Sequence, residues 1–139
     1  MEITANALQT VEANQNIIFT DTVVCGNCSI LHRGGSGLVT LRGITNQCRA
    51  RFRVTFGGNI ALPTGGTVGP ISLAIAINGE PVATTTMIET PAAVAELSNV
   101  FSAIFLDIPA GCCSQISVRN TSDQAINIQN ANLIVERVA

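Results

Sequence analysis

Five cysteines are the side chains of this chain best suited to covalent or metal chemistry. Cys25 and Cys28 flank a Gly-Asn pair, Cys112 and Cys113 are adjacent, and Cys48 stands alone. The two pairs offer enough thiolates for zinc, although adjacent cysteines are awkward ligands for one tetrahedral ion. The alternatives are disulfides within or between chains, or free thiols, and an odd count leaves one cysteine unpaired in a chain or bridging two chains. We predict no metal site and treat Cys25, Cys28, Cys112 and Cys113 as candidate disulfides or interchain crosslinks.

The other reactive side chains do not form a recognisable catalytic set. His32 is the only histidine, and the loop Arg33–Gly37 that follows it lacks the lysine and the helix signal of a phosphate-binding loop. Asp21, Asp107 and Asp123 lie in unrelated segments, so no two carboxylates have a spacing that indicates acid-base catalysis. The sequence therefore predicts no enzyme and no cofactor.

Three arginines lie on one face of a predicted strand. Arg49, Arg51 and Arg53 alternate with apolar residues. A solvated outer face is the simplest interpretation, but guanidinium groups also form bidentate bonds with carboxylates of a neighbouring subunit or an acidic surface. Nucleic acid is disfavoured, because the net charge is -2 and there is no Trp or Tyr for base stacking. We take the three arginines as a candidate interface.

Composition indicates one folded domain whose surface is partly covered. The 139 residues are 47% apolar and 12% charged, which is too apolar for disorder and too weakly charged for general nucleic-acid or membrane-surface binding. Exposed apolar area of this kind favours oligomerisation. No segment approaches a membrane span of about 18 continuous apolar residues. The N-terminus lacks a secretory signal, so we expect synthesis in a cytoplasm and release by lysis or packaging.

The elements that would position these residues are strands. Alternating apolar and polar residues, with turn residues roughly every ten positions, predict an all-β antiparallel sandwich with jelly-roll topology. The only helix-like phrase, Pro91–Leu97, is either one short helical turn or a loop. The predicted strands are Val11–Val24, Leu38–Leu41, Arg49–Phe56, Ile71–Ile77, Pro81–Ile88, Val100–Ile108 and two within Gln115–Val138.

The chain divides into a short start and one domain. Residues 1–12 are predicted to be an N-terminal arm, and residues 13–139 a single jelly-roll domain. Ile3 and Leu8 are the candidate anchoring residues of the arm. Their substitution should then release the protein from its attachment without unfolding it.

Four phrases carry a resemblance to a known family: CRARFRVTFGGNIAL, ISLAIAINGEPVATTTM, FSAIFLDIPAGCCSQISVRNT and the ending ANLIVERVA. Together they resemble the trimeric jelly roll of the C1q and tumour-necrosis-factor (TNF) type, especially its bacterial and phage versions, such as the C-terminal domain of spore exosporium collagen-like glycoproteins. The likeness covers about residues 15–139. The aromatic residues common in animal members and a collagen-like stalk are both missing here.

The resemblance implies a threefold, non-enzymatic module on the outside of a larger structure. Our first hypothesis is a homotrimeric structural protein on the virion exterior, as a capsid decoration or head fibre of a phage, with a capsid or other particle surface protein as its partner. A host-surface recognition module that binds a receptor or glycan through loops such as Arg33–Gly37 or Thr64–Gly69 is the second. A structural protein of a spore or bacterial cell surface is the third. None of the three involves nucleic acid or a membrane.

Overall fold

Two antiparallel sheets pack face to face in the computed structural model, which describes residues 1–139. The strands are β1 Glu2–Ala5, β2 Gln9–Val11, β3 Asp21–Val24, β4 Ile30–His32, β5 Val39–Arg42, β6 Arg49–Ala61, β7 Ile71–Ile77, β8 Glu80–Pro81, β9 Met87–Glu89, β10 Ser98–Pro109, β11 Cys113–Asn120 and β12 Ile126–Arg137. Sheet 1 has the strand order β10-β6-β12-β1-β3, with β2 beside β12, and sheet 2 has the order β4-β5-β11-β7-β8, with β9 beside β7. The predicted antiparallel β-sandwich is confirmed.

Alternation along the longest strands builds the core. In β6 the side chains of Phe52, Val54 and Phe56 are fully buried, while the residues between them face outward. These side chains belong to one hydrophobic cluster to which both sheets contribute. Phe56 meets Phe19 edge to face, with ring centroids 6.5 Å apart, which is a favoured aromatic geometry. The core therefore lies between the sheets and leaves each sheet an outer face.

The N-terminal residues belong to sheet 1 and are not a separate arm. Strand β1 pairs with β12 on one side and with β3 on the other. Ile3 is fully buried, and the Met1 amino group donates a hydrogen bond to the Val135 carbonyl oxygen at 2.7 Å. The predicted arm is wrong for Ile3, whose side chain is part of the core. Leu8 differs, because 55% of it is exposed.

The segment Val11–Val24 was predicted as one strand, and the structure divides it. Strand β2 ends at Val11, and Asn14 has a φ of 64°, which lies outside the range of regular β-structure. The chain then crosses to sheet 2, where the Ile17 amide donates to the Val118 carbonyl at 2.9 Å, before β3 begins. At this crossing Ile17 and Phe19 are fully buried, whereas Ile18 between them is 47% exposed.

The hairpin after β7 confirms one prediction and corrects another. Asn78 and Gly79 have φ values of 51° and 86°, as a tight turn matched to strand twist requires. The predicted return strand is interrupted by a 3-10 turn, Ala83–Thr85, between β8 and β9. The reason is the buried Thr85 hydroxyl, which donates to the Val82 carbonyl at 2.7 Å and accepts the Ile75 amide at 2.9 Å. A side chain thus replaces a backbone partner of β7.

Burial of β1 leads to the first testable prediction. Ile3→Ala is expected to lower the free energy of unfolding by about 2 to 5 kcal/mol, because it leaves a cavity in the core. Leu8→Ala, the matched control in the same segment, is expected to change it by about 0.5 kcal/mol or less. Urea unfolding followed by circular dichroism measures both. Equal, small effects of the two substitutions would show that β1 is dispensable and would restore the arm interpretation.

Candidate functional site

The three predicted arginines project from the outer face of sheet 1, where each meets a carboxylate of a neighbouring strand. Arg51 donates two hydrogen bonds to Asp107 of β10, from Nε to Oδ1 at 2.8 Å and from Nη2 to Oδ2 at 3.1 Å. Arg49 Nε lies 3.0 Å from Asp107 Oδ2. On the other side, Arg53 pairs with Glu136 of β12. The row faces outward, and all three charges are paired within the chain.

Asp107 is the centre of this network. The hydrogen bonds from Arg51 hold the pKa of the Asp107 carboxyl below its usual range, and the positive charges of Arg51 and Arg49 act in the same direction. The same contact raises the pKa of Arg51. An external acidic partner would have to compete with Asp107 and Glu136 for these guanidinium groups. The arrangement therefore makes the face nearly neutral rather than basic.

The other half of this face is apolar, and sequence reasoning missed it. Phe101 and Phe105 of β10 are 66% and 60% exposed, with Ala103 between them. Phe101 lies opposite Gly57 and Phe105 opposite Arg53 in the neighbouring strand β6. The sequence signal for these residues was the alternation of side chains along β10. Because apolar residues occur on both faces of this strand, the sequence did not show which face points to the core. We call the outward residues of β10, β6 and β12 the sheet 1 face.

All five cysteines are free and exposed at one end of the sandwich. Cys25 and Cys28 lie in the link from β3 to β4, Cys112 and Cys113 lie where β11 begins, and Cys48 precedes β6. The end of β5 separates the first pair from the adjacent pair. No group of three or more His, Cys, Asp or Glu side chains has an arrangement that could hold a metal ion.

The glycine-rich loops are closed by local contacts. His32 Nε2 lies 3.0 Å from the Ser36 carbonyl oxygen, which pins the turn that follows β4. In the loop Thr64–Gly69, the Gln124 side chain accepts a hydrogen bond from the Thr67 amide at 3.1 Å and donates one to the Thr67 carbonyl oxygen at 2.9 Å. This loop borders an open polar groove of about 420 Å³ that also contains Asp123. Neither loop brings together a nucleophile, a base and an acid.

No helix in the structure is both long and apolar enough to cross a membrane.

Comparison with known proteins identifies the fold through structure alone. No family model and no curated protein sequence matches the chain. The globular domain of zebrafish complement 1qA protein superposes with a TM-score of 0.64 at 12% identity, covering 96% of this chain and 93% of that one. Murine APRIL at pH 5.0 gives a TM-score of 0.60 at 9% identity, with 97% of each chain covered.

The chain has the C1q/TNF-like jelly-roll fold. This confirms the expected fold class, including the jelly-roll topology of the sandwich. Identities this low establish a shared C1q/TNF-like architecture and nothing about ligands.

The Asp107 network gives a prediction about pH. Because the folded-state pKa of Asp107 is lowered, its ion pairs contribute stability above the ordinary carboxyl range, and this contribution is lost as pH falls through the lowered pKa. Arg51→Gln removes the main cause and is expected to raise the pKa of Asp107 towards the ordinary value. Arg53→Gln, which removes a contact with Glu136 only, is the matched control. An NMR titration of the Asp107 carboxyl carbon measures the shift, and identical titration curves for the two variants would contradict the assignment.

Proposed function

We propose that this chain is a non-enzymatic structural module that assembles as a homotrimer through the sheet 1 face. The observation that carries the proposal is the pair of exposed phenylalanines, Phe101 and Phe105, beside a row of three arginines whose charge is largely offset by two carboxylates of the same chain. The C1q/TNF-like fold supports three as the number of subunits. The absence of a convergent polar set around His32 or any other reactive side chain supports a non-enzymatic role.

The sheet 1 face has the chemistry of a contact between copies. Aromatic side chains dominate protein interfaces because each buries a large apolar area, and burying one phenylalanine is worth about 1.5 to 3 kcal/mol. The three arginines nearby share the carboxylates of Asp107 and Glu136, so a second copy meets only a small residual positive charge. Their aliphatic stems add apolar area around the rings. A second copy of the same neutral, partly aromatic surface is therefore a suitable partner.

We further propose that the trimer is displayed on the exterior of a phage particle, as a capsid decoration or head fibre, with a capsid or other surface protein as its partner. The resemblance to bacterial and phage versions of the fold supports this location, and a spore or cell surface is the alternative. A host-recognition role is the second candidate. The observation that favours it is the groove beside Thr67 and Gln124, whose loop is closed by two hydrogen bonds.

The interface is tested by removing its two aromatic rings. The variant Phe101→Ser/Phe105→Ser is expected to weaken assembly by about 3 kcal/mol, or about a hundredfold in affinity. Light scattering should then change from three times the chain mass of 14.5 kDa to the chain mass itself. Ile88→Ser is the matched control, because Ile88 is 68% exposed on β9 of the opposite sheet. A trimer that survives loss of both rings would rule out this face as the contact.

The location is tested on particles from the source organism. We expect an antibody against the folded domain to label the outside of phage particles purified on a density gradient, and the chain to co-sediment with them. Labelling of spores or cell walls in the absence of particles would support the alternative location. Binding of the purified trimer to host cells, lost when Gln124 is replaced by Ala, would favour recognition instead.

A further inference from the structure

Three of the five cysteines surround the turn that joins β10 to β11. The Ala110 amide donates to the Cys48 carbonyl at 3.0 Å, and the Cys112 amide donates to the Pro109 carbonyl at 3.0 Å. Cys113 is the next residue and begins β11. All three side chains are exposed. We call Cys48, Cys112 and Cys113 the turn cysteines.

This turn is seated firmly against the end of β5. The Gly43 amide donates to the Cys112 carbonyl at 2.8 Å, and the Gly111 amide donates to the Gly43 carbonyl at 2.9 Å. A Cβ atom at Gly43 would lie 2.2 Å from the Pro109 carbonyl oxygen, so only glycine allows this approach. The backbone that carries the turn cysteines is thus held by three segments of the chain.

The other two cysteines are too far away to pair with them. Arg42 lies between Ser29 and Cys113, because its amide donates to the Ser29 carbonyl at 2.8 Å and β11 pairs it with Cys113. Two strand spacings of about 4.8 Å place Cys28, which precedes Ser29, roughly 10 Å from Cys113. A disulfide needs Cα atoms about 4.4 to 6.8 Å apart. The distance from Cys25 to Cys48 is larger still. Cys25 follows β3 and Cys48 precedes β6, and β12 and β1 lie between these two strands in sheet 1.

Disulfides within one chain cannot include all three turn cysteines. Consecutive Cα atoms are about 3.8 Å apart, below the range for a disulfide, so Cys112 and Cys113 do not bridge each other without distortion. A bond from Cys48 to either of them leaves the third thiol free. At least one exposed thiol of this group therefore remains available to another molecule in every chain.

These thiols lie at the end of the sheet 1 face. Cys48 directly precedes Arg49 of β6, and Cys112 follows Pro109 of β10 by three residues. Strands β6 and β10 are the two that carry Phe105 and the arginine row. We propose that the turn cysteines form disulfides between neighbouring copies of this chain, which lock the assembled oligomer when it meets an oxidising environment. This inference rests on the proposed assembly through the sheet 1 face.

The chemistry is thiol-disulfide exchange with a small-molecule disulfide such as oxidised glutathione. The thiolate of one chain attacks a sulfur of the glutathione disulfide, forms a mixed disulfide and releases one glutathione thiolate. A turn cysteine of the neighbouring chain then attacks the protein sulfur of that mixed disulfide and releases the second glutathione. In total, two cysteine thiols lose two protons and two electrons, and one glutathione disulfide becomes two thiols.

The test is oxidation of the reduced protein with glutathione disulfide over a wide range of dilution, followed by denaturing electrophoresis without reductant. We expect bands at multiples of the chain mass up to the trimer, with intensities independent of dilution. They should be lost in Cys48→Ser/Cys112→Ser/Cys113→Ser and retained in the matched variant Cys25→Ser/Cys28→Ser. Mass spectrometry of a mixture of isotopically labelled and unlabelled chains identifies the linked peptides in the unaltered protein, so the result does not depend on a variant folding.

Several outcomes would overturn the inference. They are crosslinks that persist without the turn cysteines, crosslinks that fall in proportion to dilution, and linked peptides found only within one chain. Light scattering of the reduced protein distinguishes a failure of the proposed disulfides from a failure of the proposed assembly. A reduced trimer that gives no covalent bands contradicts the disulfides alone, whereas a reduced monomer contradicts the assembly itself.

Discussion

Strand β12 is the constraint on which most of this structure depends. It lies inside sheet 1, paired with β6 on one side and with β1 and β2 on the other. Ile126 and Ile128 face the core in its first half and Leu133 and Val135 in its second, and a bulge with Asn130 at φ 55° joins the halves. A slip of one residue in either half would turn these side chains to solvent. Since three strands take their register from β12, its alternation also fixes which of their residues face outward.

The electrostatics of the sheet 1 face follow from that register. Arg53 lies between Phe105 and Glu136 across three neighbouring strands, and Arg51 lies opposite Asp107. Exposed ion pairs of this kind contribute little to stability because solvent screens them, so the buried cluster accounts for the stability of the sandwich better. Their effect is on partner choice. A face on which two carboxylates offset most of the charge of three arginines offers little attraction to nucleic acid or to an acidic surface, and its exposed rings favour an apolar partner surface.

The sequence predicts the fold well where one strand contains a complete pattern, and poorly where burial is decided by a distant segment. Strand β6 and the turn Asn78–Gly79 are of the first kind. Ile3 is of the second, because its strand has four residues and its partners lie at the other end of the chain. Asp107 is similar, since Arg51 lies 56 positions away and only strand pairing brings them together. The grouping of Cys48 with the adjacent cysteines was hidden for the same reason.

Strand β10 connects the two proposals, which are the contact through the sheet 1 face and the disulfides between the turn cysteines. It is twelve residues long and forms the edge of sheet 1, with β6 as its only partner in that sheet. A long edge strand with exposed phenylalanines is a liability in a monomer, because its unpaired edge and apolar face invite uncontrolled association. A closed oligomer that covers Phe101 and Phe105 removes this apolar face from solvent. The turn at the end of this strand then lies beside the contact, and its cysteines are held where a covalent bond to the neighbouring copy would make the closure permanent.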